Sequence, residues 1–95
     1  MTAARKQAQK FITSTVGLQA MHPMKKTMLV RIEAYRNADN SVTLKPVSGH
    51  NLAPINAVAH VKVSAEEWSD RPFNAYNDTR EAIWALELCG FEVSA

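Results

Sequence analysis

Few residues in this chain could do chemistry, and their spacing decides what that chemistry would be. His22, His50 and His60 are the histidines and Cys89 is the single cysteine. None of them stands at metal-ligand spacing: HxxxH, HExxH and CxxC are all missing, so no metal centre is expected. His60 falls on the polar side of an alternating run and reads as a surface imidazole. Cys89 falls on the apolar stripe of a helix, near the C-terminal end, where the helix dipole disfavours a thiolate. It is expected to be a buried structural thiol. No serine sits in GxSxG. Glycine occurs only as Gly17, Gly49 and Gly90, so there is neither GxGxxG nor a Walker loop to cradle a phosphate. The expectation is a non-enzymatic protein with no catalytic residue, no metal and no small-molecule cofactor.

Charge offers a stronger signal. Residues 4–26, ARKQAQKFITSTVGLQAMHPMKK, contain no acid and carry Arg5, Lys6, Lys10, Lys25 and Lys26. With Arg31 and Arg36 added, the first 36 residues set seven cations against Glu33 alone. The remainder sets Lys45, Lys62, Arg71 and Arg80 against eight acids: Asp39, Glu66, Glu67, Asp70, Asp78, Glu81, Glu87 and Glu92. Such an asymmetry can steer a charged partner, favour self-association or cancel inside the fold. Arg5, Lys6, Lys10, Lys25 and Lys26 are therefore candidate phosphate contacts for nucleic acid. The plainer reading is a solvated basic helix face. A basic, acid-free, Ser/Thr-bearing start also resembles a mitochondrial presequence, but a packed helix is expected instead. Only Tyr35 is expected on the outer face of the sheet, too little for a base-stacking platform.

Aromatic residues mark a second candidate. Trp68, Phe73 and Tyr76 cluster in EEWSDRPFNAY together with Asp70 and Arg71. Trp, Tyr and Arg are the types that anchor protein interfaces, and Glu66, Glu67, Asp70 and Asp78 would form a charged rim. Trp68, Asp70, Arg71, Phe73 and Tyr76 are thus candidate protein-binding residues. The plainer reading has Trp68 and Phe73 plugging the end of the core, with Tyr76 exposed.

These residues must be placed by local elements. Ala4, Ala8, Phe11, Ile12 and Thr15 fall near one helical face and predict a helix over about residues 3–15, stopped by Gly17. Thr27 to Arg36 alternates as a strand with Met28, Val30, Ile32 and Ala34 inward. Asn37-Ala38-Asp39-Asn40 is turn chemistry, and Ser41 to Val47 returns as a second strand. Ile55 to Val63 alternates as a third. Ser64 and Glu67 match a capping box over a short helical turn. Asp78 to Leu88 predicts the clearest helix, with Ala82, Ile83, Leu86 and Cys89 inward and Gly90 as its stop. Phe91 to Val93 alternates like a last short strand.

The predicted fold class is α+β, in one domain of 95 residues. It has a three-stranded, possibly four-stranded, antiparallel sheet with an N-terminal and a C-terminal helix, in the order α-β-β-β-α(-β). That order is similar to the double-stranded-RNA-binding fold, in topology alone. The lysine-rich opening of that family's second helix is replaced by Asn77-Asp78-Thr79-Arg80-Glu81. No apolar run reaches membrane-span length, and a lone thiol fits a reducing compartment such as the cytoplasm. The expected function is that of a small accessory or regulatory protein. It would be inhibitor-like, of the sort phages and mobile elements carry, and would bind a protein partner or itself as a homodimer. Nucleic-acid binding through the basic N-terminal segment is the alternative.

Overall fold

The computed structural model describes residues 9–22, 26–55, 58–73 and 78–93. Six strands and two helices lie within them: β1 (Lys10–Ser14), β2 (Leu18–Met21), β3 (Thr27–Arg36), β4 (Val42–Ser48), β5 (Val61–Val63), α1 (Ala65–Ser69), α2 (Thr79–Leu88) and β6 (Glu92–Val93). All six strands join one curled antiparallel sheet in the order β5-β4-β3-β2-β6, with β1 also paired to β3.

This corrects the predicted architecture. Residues 10–14, assigned above to an N-terminal helix, are strand β1. Phe11, Ile12, Thr13, Thr15 and Val16 explain why: aromatic and β-branched side chains lose rotamer freedom in a helix and pack well on a pleated surface. An unoccupied edge of the ten-residue β3 supplies the partner. The molecule is mostly sheet, and the likeness to the double-stranded-RNA-binding order lapses with the first helix. The third predicted strand also shrinks. Asn56 and Ala57 lie outside the described residues; among the described residues of Ile55 to Val63 only Val61–Val63 pairs with β4, and Ala59 is exposed rather than inward. Extending that register would set Ala59 against Pro46, which has no N–H to give.

β1 and β2 lie end to end along the same edge of β3. Phe11 pairs with Tyr35 and Gln19 with Leu29, so eight steps on one side match six on the other. One extra residue enters between Phe11 and Thr13, and a second lies between Ser14 and Leu18. At the centre Thr15 N–H donates to the Ile32 carbonyl at 2.9 Å. The Ile32 N–H donates back to Thr15 Oγ1 at 3.0 Å, not to a backbone carbonyl. The Thr15 carbonyl turns away and accepts from Arg31 at 3.1 Å. Two bulges restore the original parity, so Leu18 and Ala20 face inward like Val30 and Met28.

The inner face carries the core: Ala20, Val30, Ile32, Ala34, Val42, Leu44 and Val63 pack with Trp68, Ala85, Leu86, Cys89 and Phe91 from the helical side. The β3–β4 hairpin, its turn with Asn40 at φ 73°, and the inward side chains all follow the sequence pattern. So does the capping box, where Glu67 N–H donates to Ser64 Oγ at 3.0 Å and Ser64 N–H to Glu67 Oε1 at 2.8 Å. Gly90 ends α2 at φ 90°, where L residues are strained, and turns the chain so that β6 pairs with β2. On the outer face, a Cβ on Gly49 would stand 2.5 Å from Leu29 Cγ, so only glycine lets this turn close over the sheet.

The bulge yields a stability prediction. Thr15→Val keeps the shape but leaves the buried Ile32 N–H unpaired, and should cost about 1–3 kcal/mol in urea unfolding. Thr15→Ser retains the hydroxyl and should cost clearly less. Equal losses would remove the hydroxyl from the account.

Candidate functional site

Two surfaces bring functional side chains together, one on each side of the sheet. The first is built on α1 and α2. Trp68 is buried in the last turn of α1 and meets Trp84 of α2 with ring centroids 6.3 Å apart. Arg71 follows and lays its guanidinium over the Trp68 ring at 3.9 Å from the centroid, and 5.8 Å from that of Phe73. It also donates to the Trp68 carbonyl at 2.9 Å and forms a hydrogen-bonded ion pair with the buried Glu81. A planar, always-charged fork suits this combination of stacking and pairing. Phe73 is thereby held beside a cation while 56% exposed. Next to it Pro72, Arg80, Ile83, Trp84 and Glu87 line a shallow depression of about 310 Å³. Leu88 adds 41% of its surface to solvent. Glu66, Glu67, Asp70 and Asp78 are exposed on the same helical side.

The structure therefore brings together Trp68, Arg71 and Phe73 of the candidate protein-binding residues. Trp68 plugs the core as its plainer reading expects, whereas Phe73 does not. Asp70 caps α1 and is exposed, and Tyr76 lies outside the described residues. Glu81, Ile83 and Trp84 were not singled out for this surface. Their helical spacing around Arg80 was the available signal.

The second surface is the outer face of the sheet. Phe11 and Tyr35 face each other edge to face at 5.5 Å. Lys45 Nζ lies 4.3 Å from the Tyr35 ring centroid, and the Tyr35 hydroxyl donates to Glu33 at 3.0 Å. Burial, then the Glu33 carboxylate, raises the Tyr35 hydroxyl above its ordinary pKa. Phe11 is 57% exposed. The expectation that Tyr35 stands alone on this face is thus corrected, because a strand places Phe11 where a helix would not.

Of the basic N-terminal candidates, the two among the described residues, Lys10 and Lys26, do not come together. Arg5, Lys6 and Lys25 lie outside the described residues. Lys10 pairs with Arg36 at one end of β3, and Lys26 precedes Thr27 at the other. At about 3.3 Å per residue their backbones are about 30 Å apart. The ion pairs among the described residues are Arg71–Glu81 and Lys62–Asp39, and neither involves Lys10 or Lys26. Hydrogen bonds from Ser41, with Lys62 alongside, lower the Asp39 pKa to about 2.

Among the described residues no group of three or more His, Cys, Asp and Glu could hold a metal, and His50 and His60 are exposed singly. Cys89 is buried, which pushes its thiol up to about 12, and no nucleophilic role suits it. No helix among the described residues is long and apolar enough to cross a membrane. Comparisons with protein families, with curated proteins and with solved structures find no match.

The Arg71 clamp is testable. Arg71→Ala should cost about 3 kcal/mol in urea unfolding, because it strands a buried carboxylate as well as removing a stacked side chain. Adding Glu81→Gln should recover part of that loss. Strictly additive costs would show that the two side chains do not act together.

Proposed function

We propose that this chain is a small non-enzymatic accessory or regulatory protein, inhibitor-like in kind, that docks on a protein partner through the surface around Phe73. The observation that supports it is the exposed Phe73 ring held against Arg71, which is itself fixed by Trp68 and the buried Glu81. An aromatic anchor with restricted freedom loses little entropy when it is covered. Aromatic and arginine anchors beside a depression, ringed by charge, are the composition of an interface centre and rim. The exposed acids of the helical side select the partner's chemistry: an apolar projection surrounded by lysine or arginine.

The lone, buried thiol suits a reducing compartment, and we assign the protein to the cytoplasm on that ground. Phosphate binding by the basic N-terminal segment is the alternative reading; its described members, Lys10 and Lys26, stand at opposite ends of β3. Binding to a second copy through the Phe73 surface remains the same kind of function. The mass of a crosslinked product separates it from binding to a different protein.

The test is site-directed photocrosslinking in cells that make the protein. Benzoylphenylalanine at Phe73 should give one discrete, saturable protein adduct, weakened by Glu66→Lys/Asp70→Lys. The same group at Leu52, exposed in the turn after β4, should give none. Indistinguishable adduct patterns from both positions, or none from Phe73, would contradict the proposal.

A further inference from the structure

We propose that the outer face of the sheet is a second binding site, and that its ligand is single-stranded nucleic acid. The strand registers lay out the surface in rows. Phe11, Tyr35, Thr43 and Lys62 stand side by side across β1, β3, β4 and β5. With neighbouring strands about 4.8 Å apart, this row is about 15 Å wide. Ser14, Glu33 and Lys45 form the next row, and Arg31 opposite Val47 the third. Both described helices pack against the inner face through Trp68, Ala85 and Leu86, and Phe11 stays 57% exposed.

Beyond the first row lies a hollow of about 560 Å³ lined by Gln9, Asn37, Ala38, Asp39 and Lys62. Its amides are ordered: Gln9 Nε2 donates to Asn37 Oδ1 at 2.7 Å, and Asn37 Nδ2 donates to Thr43 Oγ1 at 2.9 Å. Carboxamides carry both donors and acceptors, which is what a base edge requires. Lys62 is paired with Asp39 at 3.4 Å, but both side chains are more than 60% exposed. Such a pair is weak and yields readily to a phosphate.

Aromatic rings on an open sheet, cations beside them and an amide-lined hollow are the parts a single strand needs: faces for bases, charges for phosphates and polar groups for edges. Charge chooses the occupant. The outer rows carry Arg31, Lys45 and Lys62, whereas α1, α2 and their caps carry Glu66, Glu67, Asp70, Asp78, Glu81 and Glu87 against Arg80 alone. Glu33, the acid inside the rows, is engaged by the Tyr35 hydroxyl and stands opposite Lys45. A duplex offers no unpaired base face to Phe11, so the strand must be single.

The test is fluorescence anisotropy with labelled oligothymidylate and oligouridylate, against a duplex of equal length. Wild type should bind a single strand at micromolar concentration in low salt and weaken linearly in log–log salt plots. Phe11→Ala should weaken binding about fivefold or more, by loss of one stacked base. Lys45→Glu should weaken it and flatten the salt slope. Phe73→Ala, on the opposite surface, should leave it unchanged, which keeps this test separate from the partner proposal. Circular dichroism confirms that each variant is folded, and Phe11→Leu serves in place of an alanine variant that is not. No single-strand binding in low salt, binding indifferent to Phe11, or preference for the duplex would overturn the inference. A wild-type dimer in sedimentation that Phe11→Ala dissociates would overturn it too, since a second copy would then cover the face.

Discussion

A threonine hydroxyl standing where a backbone carbonyl belongs holds the first third of this sheet together. Ile32 donates its N–H to Thr15 Oγ1, and Thr15 returns its own N–H to the Ile32 carbonyl. The ladder between β3 and the chain before it therefore crosses a bulge without leaving a buried donor unpaired. A slip of one residue in this ladder would exchange the two faces of everything on one side of it. With two extra residues the parity is restored, so Phe11 stays outward while Leu18 and Ala20 join the core. β6 then has an inward Ala20 to pair beside, and Phe91 can seal the end of the core next to His22.

From that constraint the sheet acquires two faces of different character. The inner face is covered by α2 and sealed by Trp68. The outer face is left with an aromatic pair, a stacked lysine and an amide cluster. The charge asymmetry visible along the chain becomes a division between elements: the strands are basic and the helices with their caps are acidic. A divided surface of this kind can meet two chemically different partners without one displacing the other.

Much of this was legible wherever the signal was local. The alternation of Thr27–Arg36, the turn at Asn37–Asn40, the Ser64/Glu67 box and the stop at Gly90 each rest on neighbours in sequence, and each is found as read. The N-terminal segment failed for a physical reason. Its two bulges break the period of two that announces a strand, and Ala8, Phe11, Ile12 and Thr15 happen to fit a period near 3.6. The β-branched residues Ile12, Thr13, Thr15 and Val16 were the better guide. The third strand failed differently, because alternation reports which side chains could face a core but not how far a partner strand extends. For the candidate sites, composition pointed to Arg71 and Phe73, which the structure brings together, but which aromatic is buried depends on packing between segments. Phe11 was invisible as a surface residue until β1 was known to be a strand.

The most direct measurement is an NMR nuclear Overhauser experiment on residues 10–15 and β3. Ring-to-ring contacts between Phe11 and Tyr35, with a slowly exchanging Ile32 amide, are the predicted result. Sequential helical contacts through residues 10–14, or contacts from Phe11 to Leu86 of α2, would contradict the register on which both surfaces depend.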